Sequence, residues 1–166
     1  MKTVNGNGVS IGSLVGNAYV YLNNVDLETD GKIVFQDAVL KLISKFELQI
    51  KNFKDNNRTE EADVLDAYIL ILQDPEITGQ ITTENESSVK EVYGIFDSSA
   101  NILASMEDEY FKQRAEDIIS VGKHLINTMQ EKVVTVELSE NSILIADDLT
   151  PADTSSMNMG NVVGIV

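Results

Sequence analysis

TEEADVLDAYILILQDPEITG, residues 59–79, decides the fold. Thr59 offers a hydroxyl to an orphan backbone N–H, and Glu60, Glu61 and Asp63 follow near the positive end of a helix dipole. Val64, Leu65, Tyr68, Ile69, Ile71 and Leu72 recur at helical spacing and make a wide apolar face. Asp74 before Pro75 predicts a cap with proline at the first position of a second helix. A helix, a corner and another helix are expected. Asp63, Asp66, Leu70 and Asp74 step by three, four and four, so they share a face that is acidic with one aliphatic in it. Such a face is either solvated surface with a stray leucine or a docking surface for a basic partner, apolar in the middle and charged around it.

Three more long apolar stripes flank this stretch. Upstream, Phe35, Val39, Leu42, Phe46, Ile50 and Phe53 predict a helix of about five turns that ends at the polar run 54–58. Downstream, Ser88 and Glu91 have capping-box spacing. Val89, Val92, Phe96, Leu103 and Met106 follow as a stripe, with a corner at 105–108. Phe111, Ala115, Ile118, Gly122, Leu125 and Met129 make the clearest helix. A glycine inside it costs about 1 kcal/mol relative to alanine, which points to close helix packing at Gly122.

The two ends of the chain read differently. Short β-type pieces are expected at 9–11 and 17–22, with Gly12 and Gly16 serving turns or close backbone approach. After Lys132 come strand-like runs at 133–138, 142–146 and 161–166. Thr150 before Pro151 starts a short helix between the last two, and Gly160 ends it. The order predicts an all-helical body combined with a small α/β piece to which the N-terminal strands belong.

Composition narrows the function classes. A chain of 166 residues with a net charge of −15 suits neither nucleic acid nor anionic lipid, and it favours a basic protein partner. There is no cysteine, hence no disulfide framework and no thiolate chemistry. The apolar runs are too short for a membrane span, and the glycine- and asparagine-rich start is not a signal peptide, so a cytoplasmic location is expected. The one histidine, His124, has Val121 three residues back, so the Glu-x-x-His spacing of di-metal bundles is absent. His124 is expected on the surface near a helix C-terminus. Asp147 and Asp148 are expected to cap and turn. No phosphate loop or dinucleotide fingerprint occurs, and no catalytic or metal constellation is assembled.

EADVLDAYILILQDPEI (61–77), MEDEYFKQRAEDI (106–118) and SILIADDLTPADTSSMN (142–158) resemble successive segments of enzyme I, the phosphoenolpyruvate–protein phosphotransferase of the bacterial sugar phosphotransferase system. SIGSLVGNA (10–18) resembles the opening of that family, with Ile11 where proline is usual. The resemblance implies a mainly α fold. A four-helix subdomain at 24–132, with a helix pair in place of its second helix, would bind the phosphocarrier HPr. An incomplete α/β phosphohistidine subdomain would be built from 1–23 and 133–166. The family's phospho-accepting histidine motif would follow the strand matching NVVGIV, so this chain alone is expected to be inactive. The magnesium- and phosphoenolpyruvate-binding domain, through which the family dimerises, has no counterpart here, and no cofactor is expected.

Carried over position by position, the HPr contacts fall on Asp63, Asp66, Tyr68, Leu70, Ile71, Asp74, Glu76, Leu103 and Arg114. The match includes the acidic line with Leu70. Tyr68 stands where some members have a histidine, Ile119 and Ser120 replace a common arginine–aspartate pair, and His124 replaces a basic residue. The alternative function is a catalytically silent regulatory or scaffold protein that binds a basic partner through the same face.

Overall fold

A computed structural model describes residues 13–132 and 136–166. The chain divides into a helical unit, residues 23–134, and an α/β unit formed by residues 1–22 and 135–166. The mainly helical class with a small sheet is the one expected.

The helical unit is built from α1 (Phe35–Asp55), α2 (Thr59–Gln73), the short α3 (Pro75–Thr78), α4 (Val89–Ala104) and α5 (Glu109–Met129). Phe35, Ala38, Leu42, Phe46, Ile50 and Phe53 of α1 are all buried. Ala38 joins the stripe, whereas Val39, expected in it, is only half-buried. α1 lies along α2 and α4 along α5, and α5 also touches α1 and α2. Phe46 is where these contacts meet. Its ring centroid lies 6.0 Å from that of Tyr68 on α2 and 5.9 Å from that of His124 on α5.

That contact corrects the expected surface position of His124, which is only 9% exposed. The reason is the central place of α5, whose last three turns are enclosed on more than one side and bury Ser120 and Asn127 as well; Gln130 at its C-terminal cap is buried too. At the corners, Met106 and Phe111 are more exposed than their stripes predict, and Leu103 is half-buried. Gly122 does mark close packing: a β-carbon there would meet Phe96 Cβ at 3.1 Å.

The caps follow the sequence with one exception. Asp74 accepts from the Glu76 N–H at 2.8 Å with Pro75 behind it, Ser88 accepts from Glu91 N–H, and Asp108 accepts from Tyr110 N–H at 2.8 Å. Thr59 is already inside α2, and the cap position belongs to Arg58, which makes no side-chain cap bond. Arg58 is committed to ending α1. Asn57 adopts a left-handed φ of 57°, Arg58 N–H bonds the Phe53 carbonyl, and the guanidinium lies 4.6 Å from the Phe53 ring centroid.

The α/β unit holds a parallel sheet in the order β1 (Asn17–Val20), β2 (Ser142–Ile145), β3 (Val162–Ile165). Gly16 permits the close approach expected of it, since a β-carbon would fall 2.3 Å from the Asn141 carbonyl oxygen. The strand expected at 9–11 lies outside the described residues, as does 133–135. The rest of that second run contributes a single bridge, Val136 to Met157, and not a strand. The helix after Thr150, α6, spans Pro151–Thr154 and does not continue to Gly160. Ser155 and Ser156 turn their hydroxyls back onto the carbonyls of Ala152 and Asp153, which ends the helix early. Asp148 accepts from Leu149 N–H, the turn role expected of it.

Tyr21, Val136, Leu138, Leu144 and Met157 form the core of the α/β unit. Tyr21 also donates its hydroxyl to Asp153 Oδ1 at 2.8 Å. Burial, then the hydrogen bond and charge of Asp153, raise the Tyr21 phenol well above its ordinary 10.0. The folded unit therefore holds this proton more tightly than the unfolded chain. The stability so gained is whole below about pH 10 and is lost as pH rises through the raised value, while the unfolded tyrosine ionises. An alkaline titration followed by phenolate absorbance should show a late step accompanied by loss of this unit's fold. Because Tyr93 is also raised by burial, the assignment comes from Tyr21→Phe, which should remove the coupled step. An unchanged profile in that variant would refute the assignment.

Candidate functional site

The acidic line runs down the outer side of α2 and turns onto α3. Tertiary packing puts it there: Ala62, Leu65, Tyr68 and Leu72 face inward, so Asp63, Asp66 and Leu70, one or two positions on, are turned to solvent. Asp63 and Asp66 are exposed, Leu70 is 68% exposed, and Asp74 is half-buried. Asp66 forms an ion pair with Lys54 of α1 at 3.2 Å, both side chains about half exposed. A pair so exposed contributes little to stability, and Lys54 can yield Asp66 to a competing cation at small cost. Asp74 is fixed by its capping bond, which sets the angle at which α3 leaves and presents the exposed Glu76.

Leu70 has no burial to explain it. It is an exposed branched aliphatic between carboxylates one turn before and one turn after it. Ile71 beside it is half-buried, with part of its side chain at the surface. Tyr68 departs from the expected set. It is 2% exposed and packs on Phe46. In this structure it supports α2 from beneath and offers a partner no surface.

The remaining expected contacts belong to the other helix pair. Leu103 is half-buried near the end of α4, next to Ile102, which is 64% exposed. Arg114 lies on the second turn of α5. Its Nη1 bonds Asp117 Oδ2 at 2.9 Å, and its guanidinium carbon stands 5.3 Å from the Tyr110 ring centroid. The Tyr110 side chain and the Asp117 charge both favour the guanidinium and raise its pKa. Asp63, Asp66, Leu70, Asp74 and Glu76 thus share one continuous strip, whereas Arg114 has its ion pair within its own helix.

The sequence reading missed Tyr110 and Asp117. The signal was available, because Tyr110, Arg114 and Asp117 are spaced i, i+4, i+7 and must share a face. Exposed Ile102, Met106 and Phe111 lie around the same α4–α5 corner sequence.

Among the described residues, no group of three or more His, Cys, Asp or Glu side chains is placed to hold a metal ion. No helix of the described residues is long and apolar enough to cross a membrane. What this surface can do is bind: apolar contact at Leu70, negative charge around it, and a single guanidinium among the expected contacts.

Comparison with known proteins gives concordant results. The model of the family described as PEP-utilising enzyme, N-terminal, matches residues 5–114. The chain is 30% identical to a phosphoenolpyruvate-protein phosphotransferase of Mycoplasma pneumoniae, over 100% of this chain and 32% of that one. It is 31% identical to the protein of that name from Priestia megaterium, over 98% and 31%, and 30% identical to that of Bacillus subtilis, over 99% and 31%. The chain therefore spans about a third of the length of the curated relatives it matches. Among solved structures, a solution structure of an Enzyme I protein superposes with a TM-score of 0.64 at 23% identity, covering 92% of this chain and 68% of that one. An N-terminal domain of Enzyme 1 – Nitrogen superposes with a TM-score of 0.59 at 19% identity, covering 90% and 67%. At these identities the structural likenesses speak for the fold alone.

Proposed function

This chain belongs to the family of PEP-utilising enzyme N-terminal regions, and from that premise we propose that it is the docking part of a phosphoenolpyruvate–protein phosphotransferase, receiving HPr on its helical unit. The observation that carries this reading is the exposed Leu70 set within the line Asp63, Asp66, Asp74 and Glu76. An apolar centre inside a charged rim is the anatomy of a protein interface. A chain of net charge −15 steers a basic partner toward it. Ile71, Leu103 and Arg114 complete the docking set.

The reaction served is histidine-to-histidine phosphoryl transfer in the sugar phosphotransferase system. The part played by these residues is orientation. His124, the one histidine of this sequence, is buried against Phe46, so the helical unit works by holding the partner's imidazole in place.

The test is a heteronuclear NMR titration of the chain with HPr of the same organism. Shifts should cluster on Asp66, Leu70, Asp74 and Arg114. Affinity should fall steeply as ionic strength rises, because the Debye length shrinks to about 10 Å at 0.1 M salt. A salt-independent affinity would contradict steering by the acidic line. Leu70→Ala should weaken docking by about 1 kcal/mol or more while leaving the helical circular dichroism unchanged, since the side chain is at the surface. A folded spectrum without any shifts on adding HPr would overturn the docking reading.

A further inference from the structure

Arg114 is the one cation among residues otherwise acidic or apolar, and it is held from two sides. Tyr110, Arg114 and Asp117 occupy successive turns on one face of α5. The Tyr110 backbone is fixed by the Asp108 cap at 2.8 Å, and its ring is braced edge-on by Phe111, with centroids 5.5 Å apart and planes at 75°. The Arg114 guanidinium lies over that ring and bonds Asp117 on its other side. Asp117's side chain is 20% exposed against 42% for that of Arg114, so the inner end of the pair is shielded and the outer end faces water.

We infer that Tyr110 and Asp117 are positioning residues that fix the Arg114 guanidinium on the docking surface, where it anchors a carboxylate or carbonyl group of the partner. This rests on the docking reading. Arginine carries five donors in a rigid fork, and the Asp117 bond engages one nitrogen. Stacking and pairing remove rotamer freedom before the partner arrives, which a flexible surface cation would lose only on binding. The anchor also fixes orientation. A partner must place cations on α2 and an acceptor on α5, and a partner docked the other way round would put its cations against Arg114.

The test is a double-mutant cycle on the whole chain, with affinity for HPr read by calorimetry. Tyr110→Leu should weaken binding about two- to fivefold, Tyr110→Phe, which keeps the ring, should weaken it less, and Tyr110→Leu should have almost no effect in an Arg114→Ala background. Asp117→Asn should behave as Tyr110→Leu does. Independent losses in the cycle would overturn the inference, since Tyr110 would then act through contacts of its own. A second readout needs no partner: the Arg114 Nε–Hε order parameter should fall in Tyr110→Leu and in Asp117→Asn. An unchanged order parameter overturns the positioning role whether or not HPr binds. An ordered Arg114 in an unaltered chain that does not bind HPr overturns the docking reading and the anchor with it.

Discussion

Asp153→Ala is expected to destabilise the α/β unit by about 3–5 kcal/mol, while the helical unit keeps its circular dichroism. Asp153 is 3% exposed and accepts from Thr150 N–H at 3.0 Å, Thr150 Oγ1 at 2.7 Å and Tyr21 Oη at 2.8 Å. Truncation leaves those three donors in a buried site with no carboxylate, and each orphaned donor costs about 1–3 kcal/mol. It also removes half of the reciprocal cap at the start of α6. The unit has a small core with which to absorb such a loss. Asp153→Asn should cost roughly half as much, because one carbonyl oxygen still accepts from Thr150 and the Tyr21 hydroxyl can reverse to accept from the new amide. Chemical denaturation followed by near-ultraviolet tyrosine dichroism measures both. Equal stability of Asp153→Ala and the unaltered chain would mean that water replaces the carboxylate without penalty.

That network also shows where reading a sequence stops. Thr150–Pro151 was legible because a capping residue and a proline act on their own neighbours, and Asp74–Pro75 was legible for the same reason. The partner of Asp153 is Tyr21, 132 positions away, and no local rule connects them. The long helices were legible because an amphipathic stripe repeated over five or six turns has few competing explanations. The sequence predicts a cap at Thr59 that the structure denies it. The competing demand came from the helix before, where Asn57 and Arg58 close α1 and leave α2 to begin without a side-chain cap. His124 is misplaced because periodicity along one helix ranks positions on that helix alone, and Phe46 of α1 packs against it. Tyr68 lies in the apolar face that periodicity gives α2, and only the resemblance puts it among the partner contacts. The acidic line was legible as a face, and its exposure follows from the apolar positions it excludes. Its link to Arg114 was legible only through resemblance, since the two belong to different helix pairs.

The close approach of α4 and α5 gives the largest expected effect in the helical unit. Phe96 is fully buried on α4, directly over Gly122 of α5. Phe96→Ala should cost about 3–5 kcal/mol, the range for emptying an aromatic site that cannot collapse. Gly122→Leu should be destabilising for the opposite reason. Its β-carbon would sit 3.1 Å from Phe96 Cβ and 3.4 Å from Phe96 Cγ, and the remaining carbons would need the volume the ring occupies. Overpacking of this kind costs about 1–3 kcal/mol, which exceeds the roughly 1 kcal/mol that replacing a mid-helix glycine returns. The double variant should be less damaged than the two losses added together, by about 1 kcal/mol or more, because the new leucine fills part of the hole left by the ring. The recovery should stay incomplete. The 3.1 Å contact is with a β-carbon that alanine keeps, so the helices must still separate by a few tenths of an ångström. Urea denaturation of the four proteins in the cycle measures the coupling. If the losses simply add, Phe96 and Gly122 are not packed against each other, and the glycine is tolerated in α5 for some reason other than the approach of α4.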